Sequence, residues 1–166
     1  MSSSESVAVE KSLPSEQLCL TDFLSEDRIE AMIDVSSAKK LLQKLSQIVS
    51  DGFESPTPES IFKVLTERER LGSTGIGNGV AVPHGRIDGL ENPRLAVVTL
   101  QNGVEFDAPD GYPVWLGVCL LVPADAPDTH LKLLGRLANG FRQSGFLETA
   151  RTISTSEKLH SHFMTI

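Results

Sequence analysis

Residues 114–122 read VWLGVCLLV, nine positions without a charged side chain. A strand that is apolar on both of its alternating faces must be covered on both, so this run predicts the middle strand of a sheet lying between two other layers. It is far shorter than the roughly 20 residues that a membrane-spanning helix needs. Upstream, residues 94–101 (RLAVVTLQ) predict a second strand, and Asp110-Gly111 marks a turn between Phe106 and Val114. Downstream, Leu131, Leu134, Leu137, Ala138 and Phe141 recur at helical intervals, predicting a helix over about 130–143 with Asp128 or Thr129 as its cap and these residues in the core. Shorter helices are expected at 146–153 and 156–163. Toward the N-terminus, residues 29–35 (IEAMIDV) alternate as a strand. Ser36 or Ser37 then caps a helix carrying Ala38, Leu41, Leu42, Leu45, Ile48 and Val49, which Asp51-Gly52 ends. A further helix is expected over 58–70, with proline in its first turn. Strands interleaved with helices argue for an α/β layer domain, and the sequence shows no internal repeat.

The chain has 166 residues, the size of one domain, with 40% hydrophobic and 22% charged residues. Fifteen Lys and Arg against 22 Asp and Glu give a net charge of -7, which repels nucleic-acid phosphates and anionic membrane. No nucleic acid and no membrane insertion are therefore expected. Residues 1–17 are rich in Ser and Glu with few apolar side chains and are read as a flexible tail, leaving residues 18–166 as the domain. The tail lacks the basic and apolar blocks of a targeting segment. Cys19 and Cys119 lie a hundred residues apart with no C-x-x-C, so the expected setting is a reducing cytoplasm.

The chemistry-bearing stretch is 72–86, GSTGIGNGVAVPHGR. Four glycines within residues 72–79 let backbone amides approach an anion closely. Neither known nucleotide loop fits: Gly72 and Gly77 have Walker spacing, but Asn78 stands where lysine is required, and Val80 occupies the third glycine position of the dinucleotide fingerprint. His84, between Pro83 and Gly85, follows a short expected strand at 80–82. An imidazole with an ordinary pKa of about 6.5 is largely neutral near pH 7 and can attack phosphorus.

Two segments, RERLGSTGIGNGVAVPHGR at 68–86 and LLVPADAPDTHLKLLGRLA at 120–138, closely resemble the enzyme IIA domain of the fructose/mannitol class of the bacterial phosphoenolpyruvate-dependent phosphotransferase system. Within that class the resemblance is strongest to the stand-alone nitrogen-regulatory IIA proteins, and it covers roughly residues 18–160. It implies a three-layer α/β/α sandwich around a mixed sheet. It also implies that His84 is the phosphorylated residue, on Nε2, with His130 of the D-T-H-L element and Arg68 beside it. A histidine phosphocarrier protein is then the donor, the regulated targets are unknown, and neither a cofactor nor a metal is called for. Arg68 would bind equatorial phosphoryl oxygens, and His130, in the first turn of a helix, would add a ring donor. Ser73, Thr74 and Gly75 are further candidate phosphoryl ligands, although these residue types also serve as plain turn formers.

Blander readings stand beside these. Arg68 lies in the run Glu67-Arg68-Glu69-Arg70, which also suits a solvated helix face, and His130 could simply serve a helix terminus. His160 and His162, two residues apart, do not share a helix face and read as a solvated pair, not as metal ligands. Two alternative functions fit the same residues: a transport subunit passing phosphate to a sugar-specific IIB domain, and a binding module that never turns phosphate over.

Overall fold

The computed structural model describes residues 19–166; the expected tail, residues 1–17, lies outside the described residues. In chain order the elements are β1 (Leu24–Ile33), α1 (Ala38–Val49), α2 (Pro58–Leu71), β2 (Gly75–Gly77), β3 (Val80–Ala81), β4 (His84–Ile87), β5 (Arg94–Val104), β6 (Val114–Pro123), α3 (Pro127–Phe141), α4 (Phe146–Thr152) and α5 (Ser156–Phe163). All ten residues of β6 are buried, as its uninterrupted apolar run demands. It pairs antiparallel with β5 on one side; on the other, β3 and then β4 run parallel to it in succession. The sheet order is β1-β5-β6-β3-β2, with β1 parallel to β5.

Alternation along β6 feeds two cores. Leu116, Val118, Leu120 and Val122 pack with Leu133, Leu137, Phe146, Leu159 and Phe163 of α3, α4 and α5. Cys119 and Leu121 pack with Leu41, Leu45, Ile61 and Leu65 of α1 and α2. The result is a three-layer α/β/α sandwich in which each fully buried aliphatic side chain contributes roughly 1.5–3 kcal/mol. Side-chain caps fix three helix starts on this frame: Ser37 Oγ accepts from Lys40 N at 3.1 Å, Thr57 Oγ1 from Ser60 N at 3.2 Å and Thr155 Oγ1 from Lys158 N at 3.3 Å.

Four expectations change. The strand expected at 29–35 runs from Leu24 to Ile33, because Arg28, whose charge masks the pattern, donates to the Leu95 and Phe23 carbonyls at 3.0 and 2.9 Å and ties the polar end of β1 to the sheet. Helix α3 begins at Pro127 with Ala126 before it, so neither Asp128 nor Thr129 caps it; a proline with no N–H to satisfy starts the first turn. Leu131 is 69% exposed, since the buried stripe of α3 runs through His130, Leu133, Leu137 and Phe141, and Leu131 sits about 100° away from His130 around the helix. Finally, the glycine segment is not an open loop. Gly77 pairs with Val80 across Asn78-Gly79, whose φ values of 56° and 79° make a two-residue hairpin turn, and Asn78 N donates to Asp110 Oδ2 at 2.8 Å.

Candidate active site

Close packing of α2 on β4 begins the site. A Cβ on Gly85 would lie 2.4 Å from Val64 Cγ1, so only glycine lets the helix approach this near. Arg68 lies one helical turn beyond Val64 on the same face and is half-buried, unlike its exposed neighbours Glu67 and Arg70. That separates it from the solvated face its charge run also suggested. Its Nε donates to His84 Nε2 at 3.3 Å, while a terminal nitrogen donates to the Gly72 carbonyl at 3.0 Å.

His84 opens β4, opposite Leu120 of β6, and Leu120 N donates to the Pro83 carbonyl at 2.9 Å. The backbone under the ring is therefore held by the central strand. The ring Nδ1 lies 2.8 Å from the Val82 carbonyl, which can only accept, so Nδ1 carries the proton. Nε2 is then the nitrogen with the free lone pair, and it faces the Arg68 guanidinium. Burial and, after it, the Arg68 charge push the His84 pKa below its ordinary 6.5, with the Val82 hydrogen bond opposing them. At neutral pH the ring is a neutral nucleophile.

His130, on the first turn of α3, completes the group: the two imidazoles meet edge to face with centroids 4.9 Å apart. Only 9% of His130 is exposed, and its Nδ1 is buried without a hydrogen-bond partner. Burial first, then the neighbouring His84, Arg86 and Arg68, lower its pKa to about 4. Two neutral imidazoles with guanidinium charge nearby form a pocket favouring an anion over a cation.

Ser73, Thr74 and Gly75 have other work. Ser73 Oγ donates to the Phe106 carbonyl at 2.7 Å and accepts from Gly75 N at 3.0 Å. The hydroxyl of Thr74 donates to Glu69 Oε1, and Thr74 N lies 3.2 Å from both Glu69 oxygens. Both hydroxyls and the Gly75 amide are thus committed within the loop, which they fasten to α2 and to the segment after β5. They shape the site's wall and offer no free donor. His160 and His162 are likewise tied to backbone, their Nε2 atoms 3.4 and 2.8 Å from the Leu24 and Phe146 carbonyls, with the His162 ring stacked on Phe146.

Sequence reasoning missed three contributors. The Val82 carbonyl, which sets the His84 tautomer, is a backbone group and leaves no trace in residue type. Glu69 was hidden in the mixed-charge run; its burial, which raises its own pKa, and its grip on Thr74 set it apart. Arg86, two residues beyond His84 and exposed, adds positive potential at His130.

The chain belongs to the EIIA type 2 family of the phosphoenolpyruvate-dependent sugar phosphotransferase system, whose family model matches residues 22–165. Among its relatives it is most usefully compared with nitrogen regulatory proteins. It is 37% identical to the Pseudomonas aeruginosa protein of that name over 141 residues, 85% of this chain and 92% of that one. With the nitrogen regulatory protein of Escherichia coli K12 it shares 34% identity over 146 residues, 86% of this chain and 88% of the other. The crystal structure of nitrogen regulatory protein IIA-Ntr from Neisseria meningitidis superposes with a TM-score of 0.81 at 36% identity, covering 87% of this chain and 98% of that one. The mannitol IIA protein of Escherichia coli shares the fold, with a TM-score of 0.71 at 17% identity over 84% of this chain and 98% of that one.

Proposed function

We propose that this IIA protein carries a phosphoryl group on His84 Nε2, taken from the phosphohistidine of a histidine phosphocarrier protein, and that it acts as a nitrogen-type regulator. The observation that carries the reading is the His84 ring itself: Nδ1–H is spent on Val82, the Nε2 lone pair points at a guanidinium, and a second neutral imidazole stands 4.9 Å away. The donor's P–N bond breaks as Nε2 forms a new one, and the donor imidazole leaves with the bonding electrons. Arg68 moves its N–H from the spent lone pair to the equatorial oxygens, and His130, 4.9 Å from the His84 ring, supplies a ring N–H to a phosphoryl oxygen. Positioning and charge neutralisation of this kind are most of what phosphoryl transfer asks of a protein.

Leu71 and Leu131, 85% and 69% exposed and close in sequence to Arg68 and His130, are the apolar side chains available for contact with a protein donor. A phosphorylated His84 puts about two negative charges at the site, enough to change which partner the protein accepts. The regulatory reading over transport is supported by the likeness to nitrogen regulatory proteins along most of the chain. Incubation with phosphoenolpyruvate, enzyme I and the carrier protein should add one acid-labile phosphoryl group to wild type and none to His84→Ala. Equal labelling of the two overturns the assignment, and efficient onward transfer to a fructose- or mannitol-type IIB domain favours the transport role instead.

A further inference from the structure

A second concavity lies at the opposite end of β6 from His84. Trp115 stands five residues from Leu120, the partner of His84, which at strand rise is about 16 Å away. The concavity is an open groove of about 820 Å³ between the β2–β3 hairpin, the start of β6 and the α3–α4 connection, within the size range of small-molecule sites. Gly79 makes room for the indole: a Cβ there would lie 2.2 Å from Trp115 Nε1, and the Gly79 carbonyl accepts from the Trp115 and Leu116 amides at 2.9 and 3.0 Å.

The groove is rich in donors without acceptors. Trp115 is 6% exposed and lines the groove, and its indole N–H, which bonds to no described residue, stays within reach of solvent. Arg151 lies over the Trp115 ring, 5.4 Å from its centroid to Cζ, and Arg142 lines the groove from the end of α3. Neither arginine has a carboxylate within ion-pair distance among the described residues, although Glu148 also lines the groove. In a chain of net charge -7, two guanidiniums against one carboxylate give the groove a net positive lining.

We infer that this groove binds a small organic oxyanion, a phosphate ester or a polycarboxylate, with Arg142 and Arg151 on its oxygens, the Trp115 N–H as a further donor and Gln143 at the rim. Guanidinium forks suit both kinds of oxyanion. The site stands apart from the His84 reading and does not depend on it.

Trp115 is the only tryptophan in the chain, so its emission reports occupancy directly. The whole protein is titrated with ribose 5-phosphate, with citrate and with sodium chloride at matched ionic strength, and calorimetry gives the affinities independently. The expected result is a saturable change with at least one of the two anions, with a Kd below about 1 mM, and none with chloride. Saturation by ribose 5-phosphate alone assigns a phosphate ester, and by citrate alone a polycarboxylate. Arg142→Gln and Arg151→Gln should each weaken binding about 10-fold or more, since each removes a charge-assisted bond. His84→Ala should bind like wild type. Absence of saturation, a response that follows ionic strength, unchanged affinity in both arginine variants, or loss of binding in His84→Ala would each overturn the inference, the last by placing the anion at the other site.

Discussion

Acidification tests the electrostatics of the imidazole pair most quantitatively. His130 has an ordinary pKa of 6.5 when unfolded and about 4 when folded, so the unfolded chain takes up its proton first and acid favours unfolding. The stability that neutral His130 contributes is intact above the unfolded value and drains away as pH falls from about 6.5 toward 4. With those two values the folded state loses about 2 kcal/mol at this residue between pH 8 and pH 5. The measurement is urea unfolding of wild type and His130→Gln at both pH values, using Trp115 emission. The stability gap between wild type and variant should shift by about 2 kcal/mol in favour of the variant on going to pH 5. His84, also lowered, contributes in the same direction to both proteins and largely cancels from the difference. A gap that stays the same at both pH values would refute the reasoning, and so would an NMR titration of His130 with its midpoint near 6.5.

Other outcomes follow from the same geometry. Gly85→Ala drives a methyl into Val64 and should cost about 1–3 kcal/mol by thermal unfolding while slowing phosphoryl transfer; adding Val64→Ala should recover part of both, and a neutral Gly85→Ala would contradict the close packing. Arg68→Lys keeps the charge but loses the planar fork, so labelling of His84 should slow about 10-fold or more with no change in melting temperature beyond a few degrees. Because burial holds the His84 pKa below 6.5, the half-maximal point of the transfer rate on the acid side should lie below 6.5; a half-maximal point at or above 6.5 would show an unperturbed ring. Glu69→Gln should leave the fold intact but loosen the 72–75 loop, read as faster amide exchange at Thr74 relative to residues of β6.

The sandwich was legible because β6 carries its burial in plain residue types: nine apolar positions in a row admit few other readings. The amphipathic α1 and α2, with Ser and Thr at their caps, were equally plain. What periodicity could not show was structure made by backbone alone. The β2–β3 hairpin is written as Asn78-Gly79, a turn signal obscured by the glycines around it. β1 begins in a charged stretch that only Arg28's bonds to carbonyls explain. In the site, His84, His130 and Arg68 were named from motifs, and the structure brings them together. The Ser73 and Thr74 hydroxyls were named by residue type, but their bonds to Phe106 and Glu69 come from chain segments that sequence spacing does not connect.

Phosphorus–nitrogen coupling in the enzymatically phosphorylated, ¹⁵N-labelled protein addresses the central claim most directly. The account predicts one phosphorus resonance coupled to Nε2 of His84, with Nδ1 still bearing its proton toward Val82. Coupling to Nδ1, or a phosphoryl group on His130, would contradict it.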